Sequence, residues 1–252
     1  MMKKTICILI ATLLTATAFC KNADVLAKEG DELYRQGNYT EAILSYEEAL
    51  AQGRGNAVLY YNLGNAYYRD DQMAQAILNY NRALRLKPGM HDAKENLELA
   101  RSKTVDRIDV LPRLFIVRWG DALISGITPT VWRTIFLVLL ALTAAAVVTV
   151  VVGRQLGLRR GALATATVTG ILMLASLALL IASTVRYNAH AEAVVMQESV
   201  SVKGSPEVQS VDKMILHSGT EVHISDALQG WVKITTADGT SGWCPVETIE
   251  RI

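Results

Sequence analysis

Three stretches of this 252-residue chain are apolar almost without interruption, and the segments between them carry two different periodicities. The apolar runs are Thr5 to Leu14, Thr134 to Val152 and Ala162 to Thr184. From Ala23 to Lys103, large apolar residues recur three or four apart, as in Tyr46 with Leu50 and Tyr80 with Leu84. That spacing draws an apolar stripe down one side of a helix. After Arg186-Tyr187 the period becomes two: Val200-Ser201-Val202, Val222 and Ile224 among Glu221, His223 and Ser225, then Val232 and Ile234. Alternation of this kind predicts short half-buried strands, and Asp238-Gly239 is a strong hairpin turn before Ser241-Gly242-Trp243. The pattern therefore predicts a multidomain chain: helices, two apolar spans, then a small all-β module.

The helical part repeats. Glu41-Ala42-Ile43-Leu44-Ser45-Tyr46-Glu47-Glu48-Ala49-Leu50 aligns with Gln75-Ala76-Ile77-Leu78-Asn79-Tyr80-Asn81-Arg82-Ala83-Leu84 at an offset of 34, which also maps Gly30 onto Gly64 and Tyr34 onto Tyr68. Small residues (Gly30, Gly64, Ala42, Ala76, Ala49, Ala83) stand where helices must approach closely, Gly37-Asn38 marks a turn, and Pro88 closes the second unit. The units run 23–56 and 57–90, and a helix over 91–103 with a polar outer side caps the array, completing a domain over 23–103. These positions resemble the tetratricopeptide repeat family. The resemblance implies a concave face carrying Asp31, Tyr34 and Arg35 from the first unit, Tyr61, Asn62, Asn65, Tyr68 and Arg69 from the second, and Asn96 from the cap. An asparagine column of this kind is expected to grip an extended peptide backbone, at about 1 kcal/mol net per bond.

The second and third apolar runs approach or exceed the ~20 residues that cross a bilayer. They predict transmembrane helices over 129–153 and 162–184, with Thr128-Pro129 as N-cap and first turn of the first. Neither run contains an ionisable residue, so the spans read as anchors rather than an ion path. The loop 154–161 carries Arg154, Arg159 and Arg160 without an acid, which favours the cytoplasm. Residues 104–128 read either as an interfacial helix or as a buried connector. Lys3, Lys4, the short apolar core and Ala16-Thr17-Ala18 make an export signal over 1–18, with lipidation of Cys20 as an alternative. Export followed by two spans sets both soluble domains on the periplasmic side of a bacterial inner membrane.

Composition narrows the chemistry. Hydrophobic residues are 51% and charged residues 19%, concentrated in separate segments, and a net charge of +1 without a basic stripe excludes a nucleic-acid footprint. Gly219 to Ile224, Gly230 to Ile234, Asp238-Gly239 and Gly242-Trp243 resemble a bacterial SH3 domain over 193–252, which implies a small barrel. Trp231 and Trp243 then offer an aromatic ligand surface or serve structurally. Cys244, with His217 and His223, falls within this β pattern with no catalytic domain before it. No metal constellation, phosphate loop or serine elbow is present in the sequence, so neither enzyme nor cofactor is expected.

The whole order resembles the BatE family, the tetratricopeptide proteins of the Bacteroides aerotolerance operon. Tyr60-Tyr61-Asn62-Leu63-Gly64-Asn65-Ala66-Tyr67-Tyr68 and Arg101-Ser102-Lys103-Thr104-Val105-Asp106 are part of that resemblance. It implies a scaffold whose partners are membrane proteins with von Willebrand A domains, in a system with a MoxR-type ATPase and a role in oxygen or stress tolerance. Two other readings stand beside it: an envelope sensor whose SH3-like domain binds peptidoglycan, and an accessory subunit of a transporter.

Overall fold

The computed structural model describes residues 23–53, 55–107, 120, 124, 126–188 and 192–252. The expected export signal, Cys20 and most of the 104–128 segment lie outside the described residues.

Five helices build the N-terminal part: α1 (23–35), α2 (Tyr39–Ala51), α3 (Ala57–Arg69), α4 (Met73–Leu86) and α5 (His91–Arg101). The repeat visible in the sequence is a repeat of backbone geometry. Each α1–α2 or α3–α4 turn needs one residue in the left-handed region, and the first unit supplies Gly37 at φ 85°. One period later Asp71 takes the same role at φ 61°, a conformation that aspartate tolerates better than most residues. The main-chain bonds that follow are also equivalent, with Asn38 N donating to Leu33 O and Gln72 N to Tyr67 O. Asn56 starts α3 by accepting a hydrogen bond from Leu59 N at 2.9 Å.

The C-terminal part is a seven-stranded antiparallel sheet: β1 (Glu192–Val195), β2 (Ser199–Lys203), β3 (Asp212–His217), β4 (Glu221–Leu228), β5 (Trp231–Thr235), β6 (Ser241–Pro245) and β7 (Ile249–Arg251). The order is β3-β2-β6-β5-β4-β1-β7. This corrects the expected barrel, because β3 and β7 stand at opposite ends of that order and, among the described residues, do not pair with each other. The physical reason lies at β7. Arg82 donates to the main-chain oxygen of Arg251 at 2.8 Å, and Arg85 donates to that of Ile252. Side chains of α4 thus meet the carbonyls at the end of β7, and that end of the sheet faces the helices rather than β3. One face of the sheet buries Val195, Val200, Val202, Leu216, Val222, Val232, Ile234 and Cys244. Gly242 sits within that packing, where a Cβ would lie 2.6 Å from Val202 and 2.7 Å from Lys203 O.

The repeats and the sheet form one compact unit, and residues 112–190 form another. Val194 and Ile252 are buried in the same apolar cluster as Ile77, Tyr80, Leu97 and Ala100, and Met196 packs against it. The sequence treats 23–103 and 193–252 as separate modules. In the structure the sheet closes the end of the helical array.

In the other unit, α6 (Pro129–Val152) and α7 (Leu156–Asn188) pack along each other as a hairpin. Thr143 Oγ1 donates to Thr169 Oγ1 at 2.9 Å across the pair. Both helices are long and apolar enough to cross a membrane, and few of their apolar side chains are covered. Thr128 occupies the N-cap position of α6 without a side-chain capping bond. The connector is Gly153 to Gln155, shorter than the expected loop, because α7 starts at Leu156.

Candidate partner-binding site

The concave residues meet in two equivalent clasps. Asp31 Oδ1 accepts from Tyr46 Oη at 2.8 Å and from Asn62 Nδ2 at 3.0 Å. One period later Asn65 Oδ1 accepts from Tyr80 Oη at 2.8 Å and from Asn96 Nδ2 at 2.8 Å. Each clasp ties the first helix of a unit to its second helix and to the first helix of the next unit. Gly30 and Gly64 make room for the tyrosine rings, since a Cβ there would lie 2.6 and 2.8 Å from Tyr46 and Tyr80. Burial pushes both phenols well above their usual range, and the Asp31 carboxylate adds to this at Tyr46. Burial thus favours the neutral hydroxyl that each clasp uses as its donor.

This arrangement gives the asparagine column an internal task. The amide nitrogens of Asn62 and Asn96 are engaged in stacking the units, and Asn96 Nδ2 also lies 3.3 Å from Tyr61 Oη. The surface beside the first clasp is open. A hollow of about 320 Å³ is lined by Asp31, Tyr34, Arg35, Tyr46, Asn62 and Asn65. That is at the lower end of ligand-pocket sizes. Arg35 is 69% exposed and paired with Glu32 at 2.9 Å. Tyr34 meets the edge of Tyr39 with ring centres 5.3 Å apart, and the Arg69 guanidinium lies 4.9 Å above the Tyr39 ring. Burial raises the Tyr34 phenol despite Arg69. Farther along, Lys103 Nζ stands 4.1 Å over Tyr68, and Tyr61 leans on Tyr80 at 6.1 Å. The surface thus combines aromatic rings, exposed cations and the carboxylates of Asp31 and Glu32.

On the sheet, Trp231 and Trp243 lie on the face opposite the core. Trp231 pairs with Pro245 and Leu228, while Trp243 pairs with Lys233 and Lys203. The register makes the two tryptophans diagonal neighbours, and both are half-buried. Cys244 points to the other face, fully buried, and burial raises its thiol away from the reactive thiolate. His223 is on the outward face with the tryptophans, so the strand alternation separates it from Cys244. Exposed His91, Asp92 and Glu95 come together on the first turn of α5, with His91 Nδ1 3.4 Å from Glu95.

The residues that sequence reasoning missed join the repeats to the sheet. Glu221 accepts from Arg101 Nε at 2.6 Å and Nη2 at 2.8 Å, and from Asn81 Nδ2 at 2.7 Å. Arg82 reaches Glu250 at 2.8 Å. Asp106 accepts from His217 N and Thr220 Oγ1, both at 2.7 Å, and meets His217 Nδ1 at 2.7 Å. Burial works to raise the Asp106 carboxyl, but the bonds from Thr220 and His217 outweigh it and hold the group below its usual range. Gly219, at φ 89°, brings the β3–β4 turn against Thr104 and Ile77. These partners are separated by more than a hundred positions, which no local periodicity records.

Residues 27–91 match the tetratricopeptide repeat family. No curated protein matches the chain.

Proposed function

We propose that this chain is a non-enzymatic, membrane-anchored interaction scaffold whose repeats hold an extended segment of a protein partner. The observation that carries the reading is the hollow beside Asp31, Tyr34 and Arg35, inside the segment that matches an interaction repeat. Rings and exposed cations there suit a chain offering carbonyls and a bulky side chain. Since Asn62 and Asn96 stack the units, the binding surface is better probed at residues outside the clasps. Tyr34→Ala with Arg35→Glu, made in the full chain, is expected to weaken partner binding at least tenfold, about 1.4 kcal/mol, with helicity unchanged. Undiminished binding would sink the proposal.

The Bat resemblance supplies a first partner to try, a soluble von Willebrand A domain from a companion membrane protein. Aerotolerance and a periplasmic site are part of this proposal. The joined repeats and sheet support the topology, because segments on either side of a two-helix excursion can share a core only on one side of a membrane. Impermeant thiol reagents should label cysteines introduced at Val105 and Val208 from one side and at Gln155 from the other. A second reading, peptidoglycan binding by the SH3-like sheet, is favoured by the outward, diagonal Trp231 and Trp243. Retention of cell walls by the intact chain, abolished by Trp231→Ala, would support it.

A further inference from the structure

The hairpin has no acidic residue of its own. Asp121 and Glu192 are the nearest acids on either side, and between them stand Arg133, Arg154, Arg159, Arg160 and Arg186, with no lysine. Three of the five gather at the turn. Arg154 is in the connector, Arg159 and Arg160 lie in the first turns of α7, and all three are exposed. Arg159 Nε donates to Val150 O at 2.9 Å, which fixes that arginine at the C-terminal end of α6, where carbonyls lack helical partners. Arg133, also exposed, stands near the other end of α6. The helix from Arg133 to Val152 is ~30 Å long at ~1.5 Å per residue, the thickness of a hydrocarbon core. Guanidinium groups thus bracket the apolar surface at about one bilayer thickness. Nothing in their own sequence neighbourhood balances the charge.

We propose that Arg154, Arg159 and Arg160 form a docking surface for the phosphates of anionic phospholipids. The inference rests on the membrane-spanning reading of the hairpin and adds the partner of its tip. Charge complementarity selects the class. A guanidinium matches phosphate bidentately, and a zwitterionic headgroup brings its own cation, whereas an anionic one supplies the missing net negative charge. Arginines at a lipid surface gain roughly 1 kcal/mol each, about fivefold per residue.

The test uses the full chain reconstituted in bilayers of equal parts phosphatidylcholine and phosphatidylglycerol. Retained lipids are counted by native mass spectrometry. Wild type is expected to keep phosphatidylglycerol preferentially, and R154Q/R159Q/R160Q to lose that preference at least tenfold. R154K/R159K/R160K, which keeps the charge and so the orientation, should fall between them. R133Q should leave the tip preference intact. An unchanged preference in the triple glutamine variant overturns the proposal, as does displacement of the lipid by inorganic phosphate in solution. A chain extracted from the vesicles by alkaline wash would instead overturn the spanning reading beneath it.

Discussion

Removing the fork between Arg101 and Glu221 is expected to loosen the sheet from the repeats while leaving each intact. Glu221 receives two guanidinium hydrogen bonds and one from Asn81. Bonds to charged groups contribute about 1.5–3 kcal/mol each when well shielded. Here the side chains are 39% and 28% exposed, so solvent screening brings the pair well below that sum. Glu98, 2.6 Å from Arg101, also competes for the guanidinium and softens the loss when Glu221 is removed. A coupling energy of ~1–2 kcal/mol between Arg101→Ala and Glu221→Ala follows, within the usual range for neighbouring sites. The assay is hydrogen exchange by mass spectrometry on the full chain in micelles, following peptides from β1, β4 and α5. Each single variant should speed opening of all three about 5- to 30-fold, and the double variant should add little more. Equal, additive effects below ~0.3 kcal/mol would refute the reasoning, as would faster exchange in α5 with β1 and β4 untouched.

Two further outcomes follow from the clasps and the docking acid. Gly64→Ala forces a methyl to within 2.8 Å of the Tyr80 ring and should cost ~1–3 kcal/mol of helical stability by urea unfolding, against about 1 kcal/mol for Tyr80→Phe; equal effects would contradict the geometry. Asp106 has a folded pKa below its ordinary 3.8, so its contribution to docking is fully present above that value and is lost as pH falls through the lowered one. Acid titration followed by exchange in β3 should show this loss, and Asp106→Asn should remove it.

Much of this architecture is legible locally. The 34-residue offset fixes the helix pairs because equivalent residues meet equivalent needs: a left-handed turn at Gly37 and Asp71, a gap for a ring at Gly30 and Gly64. The alternation in 221–225 and 231–235 marks β4 and β5, and the apolar runs mark α6 and α7. The candidate groove was legible in part. Asp31, Tyr34, Arg35, Asn62 and Asn65 do surround one hollow, but their internal bonds were not visible, because a side chain's partner depends on how helices stack.

Sequence alone thus marked the repeat helices, the two long apolar helices and the strands with clear alternation, since each is set by periodicity and apolar length within a few turns of chain. β3 and β7, without that alternation, were not marked. Tertiary structure decided what the elements close upon. The sheet stays open, with Arg82 and Arg85 of α4, not β3, meeting the carbonyls at the end of β7. The repeats end in that sheet because Val194 and Ile252 complete their core. Such pairings are free-energy choices between surfaces far apart in the chain, and they exist only once the elements have formed.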